Sequence, residues 1–142
     1  MNIDLHDFEQ FLRRREEASR AYVQGDAAPL SRIVARVSPA TFFPPMGGSQ
    51  QGAAEVASRY ERDAALFEPG SDSQFEILHM AASDGIAYWV GFMRSTVRMR
   101  GSAEAIPMNL RTTEIFRREG DDWKLIHRHA DMLMSAPEAK KQ

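Results

Sequence analysis

The chain has 142 residues, 43% of them hydrophobic and 27% charged, with a formal net charge of −2. That is enough chain for one core of ordinary size, and near-neutral charge without a long basic run leaves no electrostatic footprint for nucleic acid or an anionic membrane. Cysteine is absent, which excludes disulfides, thiolate catalysis and cysteine-ligated zinc.

The first stretch, MNIDLHDFEQFLRRREE, is charged throughout and lacks the apolar centre of a signal peptide. No apolar run approaches the ~20 residues that cross a bilayer, so a cytoplasmic location is expected. Phe8, Leu12, Arg15, Ser19 and Tyr22 fall at helical spacing, with Phe11 and Ala18 on the same broad face. This predicts a first helix over about 4–24. Gly25 suits its left-handed C-cap, and Asp26 can N-cap a short second helix carrying Leu30, Ile33 and Val34. Ser38-Pro39 ends that helix; ATFF then reads as a short strand and PPMGGSQQG as a loop. The arginines at 13–15 read as solvated surface, as does RRE at 117–119.

A third helix is expected over about 51–67, with Val56, Tyr60, Ala64 and Phe67 on its inner face, and EPGSDS as the next break. Four strands follow, over 74–83, 86–100, 107–118 and 123–134. Asp84-Gly85 is a two-residue hairpin signal between the first pair, and GSAEA and EGDD close the next two turns. Three helices followed by an antiparallel meander make an α+β domain over 1–134. The tail SAPEAKKQ, 135–142, is expected to be disordered.

The last strand, WKLIHRHADML, sets His127, His129 and Asp131 at alternate positions, on one face of a strand. A metal site, a proton-transfer site and one side of a structural strand all fit that pattern. The glycine-rich FFPPMGGSQQG has no Gly-Lys-Ser/Thr end, so it is not a Walker-type phosphate loop; it reads as a rim loop.

Three stretches together carry a family likeness: AYVQGDAAPL, a long helix ending in Gly-Asp before a short one; ATFFPPMGGSQQG, a strand and glycine-rich loop leading into a helix; and RTTEIFRREGDDWKLIHRHAD, a hairpin whose second arm starts with tryptophan. Over residues 8 to 134 the chain resembles the nuclear transport factor 2-like superfamily, in particular its SnoaL-like branch of ketosteroid isomerase homologues. The C-terminal hairpin is similar to the association domain of calcium/calmodulin-dependent protein kinase, a module without catalysis. The resemblance implies an α+β cone: a bent antiparallel sheet curled around a cavity, cystatin-like, with three N-terminal helices closing its mouth. It also implies a homodimer through the outer sheet face.

By the same resemblance, the isomerase base falls on Pro44, which cannot move a proton. The tyrosine donor falls on or near Ala18, and the protonated acid donor at Glu114; a neutral buried acid is a known device for stabilising an enolate. True ketosteroid isomerase chemistry is therefore not expected. The comparison puts Thr112, Glu114 and Phe116 inside the cavity, with Ile126, Arg128 and Ala130 on the last strand and Tyr88, Val90, Phe92 and Arg94 on the long one. Tyr60 joins them from the third helix. Arg128 would then hold an anionic ligand group, and Glu114 would be a general acid or base with a raised pKa; the alternative is an internal Glu114–Arg128 pair that touches no ligand.

By the same parity, His127 and His129 point outward with Trp89 and Trp123, to anchor the homodimer. A single bulge between Trp123 and His127 would invert that assignment. The expected function is small-molecule binding in an apolar pocket; the alternative is an isomerase, dehydratase or hydrolase using acid–base chemistry on a small apolar substrate. No cofactor or metal is implied, and neither nucleic acid nor a membrane is an expected partner.

Overall fold

A computed structural model describes residues 3–134; the expectation for 135–142 lies outside the described residues. The elements run α1 (Ile3–Val23), α2 (Ala28–Ile33), β1 (Thr41–Phe43), β2 (Gln50–Gln51), α3 (Ala53–Ala64), β3 (Phe67–Ser83), β4 (Ile86–Met99), β5 (Ala105–Glu119) and β6 (Asp122–Met132). One sheet holds all six strands in the order β2-β1-β6-β5-β4-β3. It is the curved, unclosed α+β arrangement expected, except that β1 runs parallel to β6 and makes the sheet mixed.

Local chemistry accounts for most boundaries. Gly25 takes φ +97° just after α1, as a left-handed cap requires. Asp26 acts one residue before the N-cap, its Oδ1 accepting the amide of Ala28 at 3.0 Å. Asp84 and Gly85 both have positive φ, 53° and 79°, the signature of the hairpin turn whose twist matches that of its strands.

The expected break at EPGSDS is not one. β3 runs straight through it, absorbing the glycine in a register shift between Glu68 and Asp72, because a bulge lets a strand keep its direction around an irregular residue. A second shift, between Ile77 and His79, explains Gly91 on β4. A Cβ there would lie 2.0 Å from the Glu76 carbonyl oxygen, so only glycine allows β3 to bend across it.

Register also corrects the face assignments. In the β4–β5 ladder Trp89 lies opposite Glu114, and Tyr88 opposite Ile115; cross-strand partners share a face. The inner positions of β4 are therefore Trp89, Met93, Ser95 and Val97, all buried. Tyr88, Val90, Phe92 and Arg94 occupy the outer face instead. On β6 a bulge does occur: Ile115 pairs with His127 but Phe116 with Leu125, leaving Ile126 unpaired. It turns Trp123 and Leu125 inward, both buried, while Arg128 and Ala130 also face in. Neither tryptophan is an outer-face anchor. Trp89 stacks on Phe75 at 4.6 Å, and Trp123 meets Phe8 edge-on at 5.5 Å.

Candidate ligand pocket

The buried stripe of α1 lies against the concave face of the sheet and changes character along its length. At the N-terminal end Phe8 and Phe11 each sit 5.3 Å from Phe116, with Trp123 completing a filled aromatic cluster. One to three turns further on, the same stripe presents Arg15, Ser19 and Tyr22 to a cavity of about 380 Å³. The volume lies within the roughly 300–1,000 Å³ typical of small-molecule sites.

Between the two ends sits a buried charged group. Arg15 donates to Glu114 through Nε at 2.9 Å and Nη2 at 2.7 Å. Arg128, directly opposite Glu114 in the β5–β6 ladder, donates through Nη1 at 2.5 Å, and Trp89 Nε1 adds a bond at 2.9 Å. Burial by itself would push the Glu114 carboxyl up, but the Arg15 and Arg128 charges and their hydrogen bonds outweigh it and hold it at about 2. The carboxylate is thus ionised at neutral pH, the reverse of the raised pKa expected of a proton donor. Burial likewise works against the charge on Arg128, yet the Glu114 carboxylate more than compensates and raises its pKa.

Glu114 stands behind the two arginines and does not line the cavity; Arg15 and Arg128 do. The rest of the wall is apolar. Leu30 and Leu110, Phe42 and Phe67, and five methionines (Met46, Met93, Met99, Met108 and Met132) dominate it, with Pro44 and Pro45 of the loop after β1 at its edge. Polar groups are few. Ser19 and Ser95 meet through Ser73, at 2.9 and 3.1 Å. Arg59 holds Asp63 with two bonds from Nε, 2.9 and 3.0 Å. Tyr60, 2% exposed, stacks on Phe42 at 4.5 Å, and its hydroxyl has no hydrogen-bond partner. Burial raises the pKa of Tyr60, and also of Tyr22, so both phenols stay protonated.

Of the residues expected at the site, Arg128 and Tyr60 line this cavity. Phe116 belongs to the filled cluster, Thr112 is buried away from the cavity, and Ile126 packs against the core at the bulge. Tyr88, Phe92 and Arg94 are on the far side of the sheet, where Arg94 pairs with Glu76 at 3.0 Å and lies over the Phe92 ring. Arg15 is the residue that sequence reading missed, grouped with its neighbours as solvated surface although it is 1% exposed. Its signal was present: a charge at a stripe position of an amphipathic helix.

The histidines face away from this cavity. His127 Nδ1 lies 2.6 Å from Thr41 Oγ1, and both His127 and His129 meet the Phe43 ring edge-on. Burial, then the neighbouring His129, lowers the His127 pKa. Asp131 is taken by Arg111 in a two-bond pair of 2.6 and 2.8 Å. Among the described residues no three His, Asp or Glu side chains converge to hold a metal ion, and no helix is long and apolar enough to cross a membrane.

The model of the SnoaL-like domain family matches residues 15–135. No curated protein matches the chain. Among solved structures, a provisionally assigned dehydratase of the nuclear transport factor 2-like family from Streptomyces avermitilis superposes with a TM-score of 0.73 at 22% identity, over 92% of this chain and 98% of that one. A provisionally assigned scytalone dehydratase from Novosphingobium aromaticivorans gives 0.75 at 13% identity, over 92% and 86%. A nuclear transport factor 2-like superfamily protein from Salmonella enterica gives 0.74 at 13%, over 96% of both chains. At these identities the likeness is one of fold.

Proposed function

The chain belongs to the SnoaL-like domain family, and from that premise we propose that it is a small-molecule-binding protein whose ligand occupies the cavity between α1, α3 and the sheet. One observation carries this reading: a cavity of about 380 Å³ with a mostly apolar wall, interrupted by Arg15, Arg128, Tyr60, two serines and the Arg59–Asp63 pair. A mostly apolar pocket with a few convergent polar groups is the usual form of such a site. The second reading, an isomerase, dehydratase or hydrolase acting by acid–base chemistry, draws on the same fold in the two provisionally assigned dehydratases. Tyr60 and Arg128 could polarise a carbonyl in that case. A proton acceptor is harder to supply, because Asp63 is held by Arg59, Glu114 is shut behind its arginines, and Pro44 stands at the cavity edge. Binding is the better supported function.

A thermal-shift panel of small hydrophobic acids, lactones, phenols and steroids tests this. A ligand at a hundred times its dissociation constant adds about 2.7 kcal/mol, which moves the midpoint of a domain this size by several degrees. A shift for at least one class is expected, and silence across the whole panel would sink the reading. Any compound that both shifts the midpoint and is consumed on incubation would move the assignment to the enzyme.

The homodimer belongs to the same proposal, with altered residues. In place of the buried tryptophans, the outer face offers Leu78, Val90, Phe92 and His129 around a shallow groove, with Phe43 and His127 beside it. Sedimentation equilibrium reads the association directly.

A further inference from the structure

We propose that the cavity takes a monoanionic ligand, an apolar carboxylate whose charged group is held jointly by Arg15, Arg128 and Tyr60. This rests on the small-molecule reading above and adds the chemical class. Three observations converge on it.

The first is charge. Among the described residues the buried charged side chains are Arg15, Glu114 and Arg128, two cations and one anion, and the nearby Arg59–Asp63 pair cancels itself. One positive charge is left over in a low-dielectric site, where an uncompensated charge is costly. A single negative charge on the ligand balances it; a phosphate dianion would overshoot.

The second is a set of unused donors. Arg15 Nη1 and the Tyr60 hydroxyl are buried and have no partner in the protein, and both residues line the cavity. Arg128 Nη2 has only the Met93 sulfur, at 3.0 Å, and a thioether is a weak acceptor. A carboxylate has two oxygens and about four lone-pair directions, an acceptor capacity that matches three donors. Glu114 keeps both guanidiniums in place through its four bonds with Arg15, Arg128 and Trp89, so it is a positioning residue here and does not touch the ligand.

The third is the remaining wall. Beyond the arginines, the tyrosines, two serines and the Arg59-paired Asp63, it is mainly leucine, phenylalanine and methionine. Methionine adapts its shape to what it contacts, and such a wall favours an alkyl or aryl body over a sugar or a nucleotide.

The test is calorimetric titration with octanoate and phenylpropanoate, each compared with its primary amide, against the wild-type protein and Tyr60→Phe. The amide keeps the size and shape of the acid and removes its charge. Each acid should bind at least roughly tenfold more tightly than its amide, since a hydrogen bond to a charged group contributes more than one to a neutral group. Tyr60→Phe should weaken acid binding by roughly tenfold while raising the unfolding midpoint of the free protein, because it removes a buried hydroxyl that has no partner. Merely structural packing by Tyr60 would leave the affinity unchanged. Acid and amide binding equally well would overturn the monoanion while leaving the small-molecule pocket intact. Failure of all four compounds, together with silence of the wider panel, would overturn both.

Discussion

The two ends of the α1 interface use one helical stripe for opposite purposes. Phe8 and Phe11 at one end fill their space against Phe116 and Trp123. Arg15, Ser19 and Tyr22 at the other face a cavity. The first end needs shape alone, and its stabilisation is that of any well-packed core. The second holds a desolvated carboxylate, two guanidiniums and a hydroxyl without a partner, all of which burial disfavours. Its own ion pairs offset part of that cost, and the packed aromatic end beside it adds stability of the ordinary core kind. The packed cluster and the proposed binding site lie side by side on one helix.

Substitutions at the two ends should therefore fail differently. Phe116→Ala empties the centre of the aromatic cluster and should cost about 3–5 kcal/mol of folding stability, measured by denaturant unfolding, while a folded variant keeps its ligand specificity. A cost below about 1 kcal/mol would show that the aromatic end is not what supports the pocket.

At the charged end, Glu114→Gln leaves two buried guanidiniums facing a neutral amide and should cost about 3 kcal/mol. It should also change the pH response. The folded-state pKa of Glu114 is lowered from 4.5 to about 2, so its contribution is fully present above about 4.5 and is lost as pH falls toward 2. Wild-type stability should drop across that window, and the drop should be shallower in the Gln variant. Parallel curves for the two proteins would remove Glu114 as the source.

The smallest effect is expected on the other side of the sheet. Arg94→Ala breaks an exposed pair with Glu76, the two side chains being 44% and 49% exposed. It should change stability by no more than about 0.5 kcal/mol and leave ligand shifts untouched. A lost ligand shift would restore Arg94 to the pocket and contradict the register of β4.

Much of the fold was legible in the chain. Helical spacing from Phe8 to Tyr22, the capping pair Gly25-Asp26 and the turn Asp84-Gly85 are local signals that act within a few residues, and each formed the expected element. The family likeness, carried by motifs in order, reached the α+β cone as well. Strand faces were harder, because a period of two turns any slip of one residue into a full inversion. The Ile126 bulge and the Trp89–Glu114 register are settled by how neighbouring strands pair, and no stretch of β4 or β6 alone encodes that.

The same division runs through the site. By itself the sequence set Arg15 at a stripe position of a helix, although the run at 13–15 was read as solvated surface, and put Glu114 and Arg128 in adjacent strands. Only the tertiary structure decided that Arg15, 99 residues from Glu114, closes on the same carboxylate as Arg128. That meeting inverts the expected chemistry, since one buried acid between two guanidiniums is held ionised where an acid alone in an apolar cavity would be held neutral. The charge state of a buried group depends on which partners reach it through space, and the order of residues along the chain does not record that distance.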